Sequence, residues 1–365
     1  MGSITANPFQ DVPAGRTESL EALILQFRAD TDPNRTDLLV GVYKTDEGKA
    51  IVSTQTLGAC GGCHVAAVML KNHYGPWKEN GNPEIFLPSE TWLNHPFLFE
   101  SAGIKTSFLP YFNSKTNTFD FSAFSEAIKL LPAQSVVLLQ SGAQNPTGCD
   151  PSLDQWRELA SIFSQRGHLA LFDAAYPGFA SGDIDTDLES VRLFAEQEIP
   201  LIFVSTYGKS FGLYSERVGI LFILVPSEEV GKRIERHMSL LARAESGAPP
   251  DFGSKIVETV LSDDTLERQW RQEVRHMADQ LKSRRITLRQ RLEELETPGD
   301  WKHITDQNGM FSYVGLSDEQ VTLLRNKHHV YLQDSGRISI AGLNKFNIDY
   351  TARSISAVIK ATTTR

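Results

Sequence analysis

Four short apolar runs constrain this chain more than any other feature: Val136-Val-Leu-Leu-Gln140, His168-Leu-Ala-Leu-Phe-Asp173, Leu201-Ile-Phe-Val204 and Val218 to Val225. Each is too short for a helix and reads as a buried strand. The segment between the first two has a different period. Leu153, Trp156, Leu159, Ala160 and Phe163 fall on one helical face, Asp150-Pro151 supplies a cap and a first-turn proline, and Gly167 stops the helix. Strands alternating with amphipathic helices predict an α/β layer on a mostly parallel sheet. A longer helical pattern runs from about Thr265 to Leu295, where Leu266, Trp270, Val274, Met277 and Leu281 recur every three or four residues. A helix beyond ~25 residues suits a connection between domains, and 365 residues are enough for two.

Charge and composition narrow the function classes. The chain carries 36 basic and 45 acidic residues, a formal net charge of -9, which argues against a nucleic-acid partner. Three cysteines, an odd number without framework spacing, fit a reducing compartment. No apolar stretch reaches the ~20 residues of a membrane span, and Met1-Gly-Ser-Ile-Thr-Ala-Asn7 has no apolar signal core. The expected location is the cytoplasm. Nine histidines lie without ligand spacing, so no metal site is expected.

The chemistry sits between the third and fourth runs, in Ser205-Thr-Tyr-Gly-Lys-Ser-Phe-Gly-Leu-Tyr-Ser-Glu-Arg-Val-Gly219. A lysine flanked by glycine and small hydroxyl residues, on a loop at a strand end, has the freedom a Schiff-base amine needs. Arg217, farther along the same loop, suits a phosphate. The pairing points to pyridoxal phosphate (PLP) on Lys209. Other parts that this cofactor requires follow. Asp173 ends a strand and offers a carboxylate to the pyridine nitrogen, which keeps the ring protonated and electron-accepting. Tyr176 and Asn145, the latter in Gln144-Asn-Pro-Thr-Gly148, offer a phenol and an amide to the ring oxygen. Trp92, in Pro88-Ser-Glu-Thr-Trp-Leu-Asn-His95, offers a stacking face. Cys60-Gly-Gly-Cys-His64 precedes the helical run Val65 to Leu70, and a glycine-rich turn at a helix start cradles phosphate through free N–H groups and the helix dipole. Singly, each residue also reads as a turn, a strand end or a core aromatic. The set carries the inference.

Together these segments resemble the class I/II aminotransferases, and specifically the aspartate aminotransferases. The resemblance runs from Asn7-Pro-Phe to Gly336-Arg-Ile-Ser-Ile-Ala-Gly342. It includes Gly41-Val-Tyr-Lys44, Asn145-Pro-Thr-Gly148, Phe172-Asp-Ala-Ala-Tyr-Pro-Gly-Phe-Ala180, the Lys209 segment and Gln307-Asn-Gly-Met-Phe-Ser312. It implies a fold-type I PLP-dependent transferase. A large domain, residues 53–276, would have a mostly parallel sheet flanked by helices, and a smaller α/β domain would combine residues 1–52 and 277–365. The implied reaction is ping-pong transfer of an amino group between an L-amino acid, aspartate or glutamate first, and a 2-oxo acid. Lys209 would form the imine and then move the proton. Ala59, Cys60, Thr206 and Arg217 would hold the cofactor phosphate. Gly41, Trp92 and Asn145 would surround the substrate, with Arg337 on its α-carboxylate through a planar two-bond fork. Arg243 would come from the neighbouring subunit of a homodimer, and His95 would lie behind Asp173.

The chain departs from that pattern in places. Roughly fifty residues that the family carries between the Gly41 strand and the phosphate loop are missing between Lys44 and Gln55, among them a tyrosine that reaches the partner's cofactor phosphate. Ala59 and Cys60 replace a glycine and a threonine, and Gly208 replaces a serine. Glu245-Ser-Gly-Ala-Pro-Pro250 replaces a polar run beside Arg243. Two further readings stay open: a PLP enzyme of a specialised pathway with another substrate, and a catalytically weakened relative. Two motifs also compete. Gly208-Lys-Ser-Phe-Gly212 matches a nucleophile elbow around Ser210, with Asp263 and His303 in hydrolase order. Cys60-Gly-Gly-Cys-His64 matches covalent haem attachment, and its two cysteines a redox pair.

Overall fold

The computed structural model describes residues 51–363. Gly41 and the rest of the chain up to Ala50 lie outside the described residues. The strands are β1 (Ile51–Leu57), β2 (Glu84–Pro88), β3 (Lys105–Leu109), β4 (Phe112–Asn113), β5 (Thr118–Phe119), β6 (Val136–Gln140), β7 (Leu169–Ala174), β8 (Leu201–Thr206), β9 (Val218–Leu224), β10 (Phe311–Tyr313) and β11 (Arg337–Ser339). Seven form one sheet in the order β1-β9-β8-β7-β6-β2-β3. The run from β3 to β8 is parallel throughout. β9 is antiparallel to both β8 and β1, so β1 points the same way as the parallel set. All four apolar runs of the sequence are strands of this sheet.

Helices cover both faces, which is why the central strands are apolar on both sides. The principal ones are α1 (Gly58–His73), α2 (Phe121–Leu130), α3 (Leu153–Arg166), α4 (Glu189–Glu196), α5 (Glu228–Ser246), α6 (Asp264–Glu294) and α7 (Ile348–Thr363). Leu138, Leu171, Ile202 and Val204 pack under α1 and α5 against Met69, Ile234 and Met238. The alternate residues Val137, Leu139, Phe172 and Leu201 face the other way, against Phe124, Trp156, Phe163 and Phe194 of α2, α3 and α4. A third core joins α6 and α7 through Leu281, Leu288, Leu292, Ala352 and Ile355. Among the described residues, no helix is long and apolar enough to cross a membrane.

Two local readings need correction. α3 ends at Gly167 in a left-handed C-cap as expected, but Asp150 does not cap its start. Ser152 and Gln155 form a capping box there, while the Asp150 carboxylate accepts the N–H groups of Ala143 and Gln144 at 2.7 and 3.0 Å. The backbone amides of the preceding turn compete for that carboxylate and win. α6 spans 31 residues as its period implied, yet Leu266 in its first turn is 39% exposed. The residues it buries are Val274, Ala278, Leu281, Arg285, Leu288 and Leu292.

The topology aims the chemistry at one edge. β1, β2, β6, β7 and β8 all end there, and β9 begins there. In a doubly wound sheet the crevice for a ligand opens beyond the carboxyl ends of the strands.

Candidate active site

The loops on that edge converge on one cleft, lined by Ala59, Cys60, Trp92, Asn145, Asp173, Ala175, Tyr176, Thr206, Lys209, Tyr214 and Arg217. All nine residues expected to touch the cofactor are among them. Asp173 is the penultimate residue of β7, in register with Gln140 and Val204, and is 5% exposed. Its Oδ2 lies 3.1 Å from His95 Nε2, and His95 Nδ1 lies 2.7 Å from Thr91 Oγ1. Trp92 meets the His95 ring edge-on at 5.4 Å. Asn145 Nδ2 donates to the Tyr176 hydroxyl at 3.4 Å, and Asn145 Oδ1 accepts from Arg337 Nη1 at 3.0 Å. Arg337, which pairs with Tyr313 across the β10–β11 ladder, rests over the Phe311 ring at 4.1 Å.

Lys209 lies on the loop from β8 to β9, its Nζ 5.2 Å from the Tyr176 ring centre and 5.1 Å from that of Tyr214. Burial lowers its pKa from the ordinary lysine value and the Arg217 charge adds to this, while Asp173 and Cys60 oppose it. A lysine so placed gives up its proton more readily, as a nucleophilic amine must. Burial, and then the Asp173 charge, raises the pKa of the Tyr176 phenol, which therefore stays a proton donor. Burial lowers that of Arg337.

The phosphate end is built from two distant segments. Gly58 N–H donates to Arg217 O at 2.8 Å, and Arg217 Nη2 donates to Leu57 O at 3.3 Å. Gly58 has φ +67°, and a Cβ there would fall 2.5 Å from Arg217 Nη2. Arg217 itself has φ +54°, a conformation costly for a side-chain-bearing residue. The start of α1 has no side-chain cap, so the N–H groups that follow Gly58 in its first turn remain for another acceptor. Thr206 contributes less freely than expected. Its hydroxyl donates to Val218 O and accepts from Gly208 N–H.

Several residues outside the expected set hold the site together. Tyr214 lines the cleft beside Lys209; it sits three positions before Arg217 in the motif but has no residue-type signal of its own. Gln140 grips the Asn145 backbone from both sides, through Nε2 to its carbonyl at 3.0 Å and Oε1 from its N–H at 2.9 Å. Arg285 of α6 is 2% exposed and donates to the carbonyls of Ile304, Asn308, Gly309 and Phe311. That loop presses on Gly148, where a Cβ would lie 2.7 Å from the carbonyl oxygens of Asn308 and Phe311. Trp270 of α6 packs on Phe211 with tilted rings, centroids 4.4 Å apart, and donates its indole N–H to Ser210 O. Arg243 does not line the cleft; it is exposed in the last turn of α5. Its neighbour Glu245 faces His64 at 2.6 Å.

The nucleophile-elbow and haem-attachment readings do not survive the geometry. Ser210 follows a strand, but the chain then turns through a loop into antiparallel β9, not into a helix. Asp263 caps α6 and His303 Nδ1 lies against Asp300 O, so neither serves Ser210. Cys63 is 0% exposed inside the core under α1 and closed to a haem. Both it and Cys60 are free thiols. Among the described residues no group of three metal-ligating side chains occurs.

PLP fits what is present. Asp173 Oδ1 is buried without a hydrogen-bond partner, as a carboxylate awaiting a ring N–H would be. The uncapped start of α1, Gly58 and Arg217 supply donors and room for a phosphate. The sequence matches a family model described as aminotransferase class I and II over residues 43–355. It is 37% identical over 312 residues to a mitochondrial aspartate aminotransferase of Dictyostelium discoideum, covering 86% of this chain and 72% of that protein. It is 38% identical over 309 residues to a cytoplasmic aspartate aminotransferase of Oryza sativa subsp. japonica, covering 85% and 74%. Among solved structures, the aspartate aminotransferase from Saccharomyces cerevisiae cytoplasm aligns with a TM-score of 0.81 at 30% identity, over 97% of this chain and 98% of that one. An aromatic-amino-acid aminotransferase from Burkholderia pseudomallei, covalently bound to pyridoxal phosphate, aligns with a TM-score of 0.81 at 29% identity, over 96% and 99%. The arrangement of the cleft and the similarity along the chain lead to one conclusion: this protein belongs to the class I and II aminotransferases and is a PLP-dependent transferase.

Proposed function

We propose that the chain moves an amino group between aspartate or glutamate and a 2-oxo acid, as a cytoplasmic homodimer. The observation that carries the amino-acid substrate is the state of Arg337. Asn145 holds one end of its guanidinium, Phe311 supports its face, and its Nε is buried with no partner. A fork held in this way is ready for an α-carboxylate. When bound, PLP supplies an aldehyde carbon and a protonated ring that accepts electrons. Lys209 would offer its amine to that aldehyde and, when its amine is free, would serve as the base and acid that moves a proton within the cleft. Asp173 Oδ1 would accept the ring N–H, and His95, wedged between Thr91 and Asp173, keeps the carboxylate oriented. Tyr176 and Asn145 would hold the ring oxygen, Trp92 would cover the ring, and Ala59, Cys60, Thr206 and Arg217 would surround the phosphate.

Exposure of Arg243, away from its own cleft, supports a role in a neighbouring subunit, on the distal carboxylate of the substrate. Two domains, residues 53–276 and residues 1–52 with 277–365, fit the change of partners along α6. Trp270 packs on the Lys209 loop, whereas Met277, Leu281, Leu288 and Leu292 join the third core. Borohydride reduction of the PLP-loaded protein is expected to leave a pyridoxyl group on the Lys209 peptide, and a label on another lysine would sink the assignment. Dicarboxylates are expected to outrun alanine, with Arg243→Ala removing most of that preference. One charged hydrogen bond is worth ~1.5–3 kcal/mol, about 10- to 100-fold in kcat/KM. Equal rates for alanine and aspartate would reject the dicarboxylate reading.

A further inference from the structure

Cys60 and Cys63 stand one above the other at the start of α1, and only the first has a place in the cofactor cradle. Cys60 lines the cleft with Lys209 and Arg217, while Cys63 lies behind it in the core. The unpartnered, buried Asp173 Oδ1 marks the same cleft independently as a site that takes a ligand. Three residues apart on an α-helix, the two Cα atoms are about 5 Å apart, within the range a disulfide spans. Their Cβ atoms are about 5–6 Å apart, beyond the ~4 Å that the bond takes. Closing it therefore rewinds the first turn of the helix. The residues between are Gly61 and Gly62, the most pliable pair available. A Cβ on Gly62 would fall 2.5 Å from Val204 Cγ1, so the backbone is pressed against the sheet there. The rewinding is left to the cleft side, where Ala59 and Cys60 sit.

We propose that Cys60 and Cys63 form a thiol–disulfide pair built into the phosphate cradle, closed by a low-molecular-weight disulfide and protected by bound cofactor. This rests on the reading of the cleft as the PLP site. Cys60, the thiol within reach, loses its proton and its sulfur bonds to one sulfur of the small disulfide. The other half leaves and takes up a proton as a free thiol. In the core, burial raises the Cys63 thiol pKa well above the ordinary value, so Cys63 reacts only as the turn rewinds and brings it toward the cleft; it then loses its proton and bonds to the Cys60 sulfur, releasing the second half as thiol. Two protein thiols become one disulfide, and the oxidant's disulfide becomes two thiols. The rewound turn no longer presents the same N–H groups to a phosphate.

The experiment treats fully reduced, PLP-free full-length chain with oxidised glutathione, with and without saturating PLP. Peptide mass mapping and absorbance titration of PLP follow. A Cys60–Cys63 linked peptide is expected without PLP and suppressed with it. The oxidised protein should bind PLP about 10- to 100-fold more weakly, the loss of one hydrogen bond to a charged group, and dithiothreitol should restore it. Cys63→Ala should stop at a mixed disulfide on Cys60 and, when reduced, bind PLP as the unmodified chain does. No linked peptide, in a reduced protein that binds PLP, overturns the pair and leaves the cofactor site standing. A linked peptide with unchanged PLP affinity overturns its coupling to the cradle. Failure of the reduced protein to bind PLP overturns the cofactor reading and this proposal with it.

Discussion

At the scale of single residues, Asp173 shows what a sequence reveals and what it withholds. Its place at the end of an apolar run marked it as a carboxylate at a strand edge. That one oxygen faces His95 while the other has no partner depends on folding two segments 78 positions apart onto each other. The role follows from that split. Asp173→Asn keeps the size of the side chain and removes the charge that, in the proposed role, would hold the ring protonated. An opposite charge at such range is worth 1–3 pKa units, so kcat is expected to fall about 10- to 1,000-fold. Steady-state rates, with PLP retention measured alongside, check this; a rate within twofold of the parent would rule the role out. Arg243 was legible as a residue type and not as a position, because a motif does not say that the end of α5 leaves it exposed and outside the cleft.

At the scale of elements, periodicity found α3 and α6 to within a residue or two, and it failed where a polar side chain had a choice of partner. Asp150 and Ser152 are both fair helix caps, and only the folded turn at Ala143 and Gln144 decides between them. The junction of β1 and α1 was legible as a glycine-rich turn at a helix start, but its packing against Arg217 was not. Gly58→Ala would put a methyl group onto the Arg217 guanidinium and a side chain at φ +67°. The left-handed conformation alone costs roughly 1–2 kcal/mol. PLP affinity is expected to fall at least about tenfold with far-UV circular dichroism unchanged. Unaltered affinity in the titration would show that Arg217 yields without cost.

At the scale of the whole molecule, buried histidines tie stability to acidity. His168 is 0% exposed; its Nδ1 accepts the Ser135 N–H and its Nε2 faces the Ile128 carbonyl, which assigns the neutral tautomer. Burial lowers its pKa from 6.5 to about 4. The unfolded chain therefore takes up the proton first as pH falls. The contribution is intact above the ordinary value, is lost progressively from pH 6.5 down to about 4, and changes no further below that. At pH 5 the loss is about 2 kcal/mol. Urea midpoints at pH 7 and 5 should separate less in His168→Gln than in the parent, and equal separation would exclude His168 as a source.

One arrangement has a meaning for how the molecule comes into being. The phosphate cradle joins Leu57 and Gly58 to Arg217, partners 160 positions apart at the first and last strands of the sheet. Neither half exists as a binding surface until β1 has docked on β9, a pairing of high sequence separation and therefore slow. Cofactor capture is then a late event in biogenesis, open only to chains whose sheet is complete. A cofactor that takes the proposed cradle would bind that state and not its precursors, so its supply would draw the population toward the finished protein. The visible absorbance of a preparation then counts its properly assembled molecules.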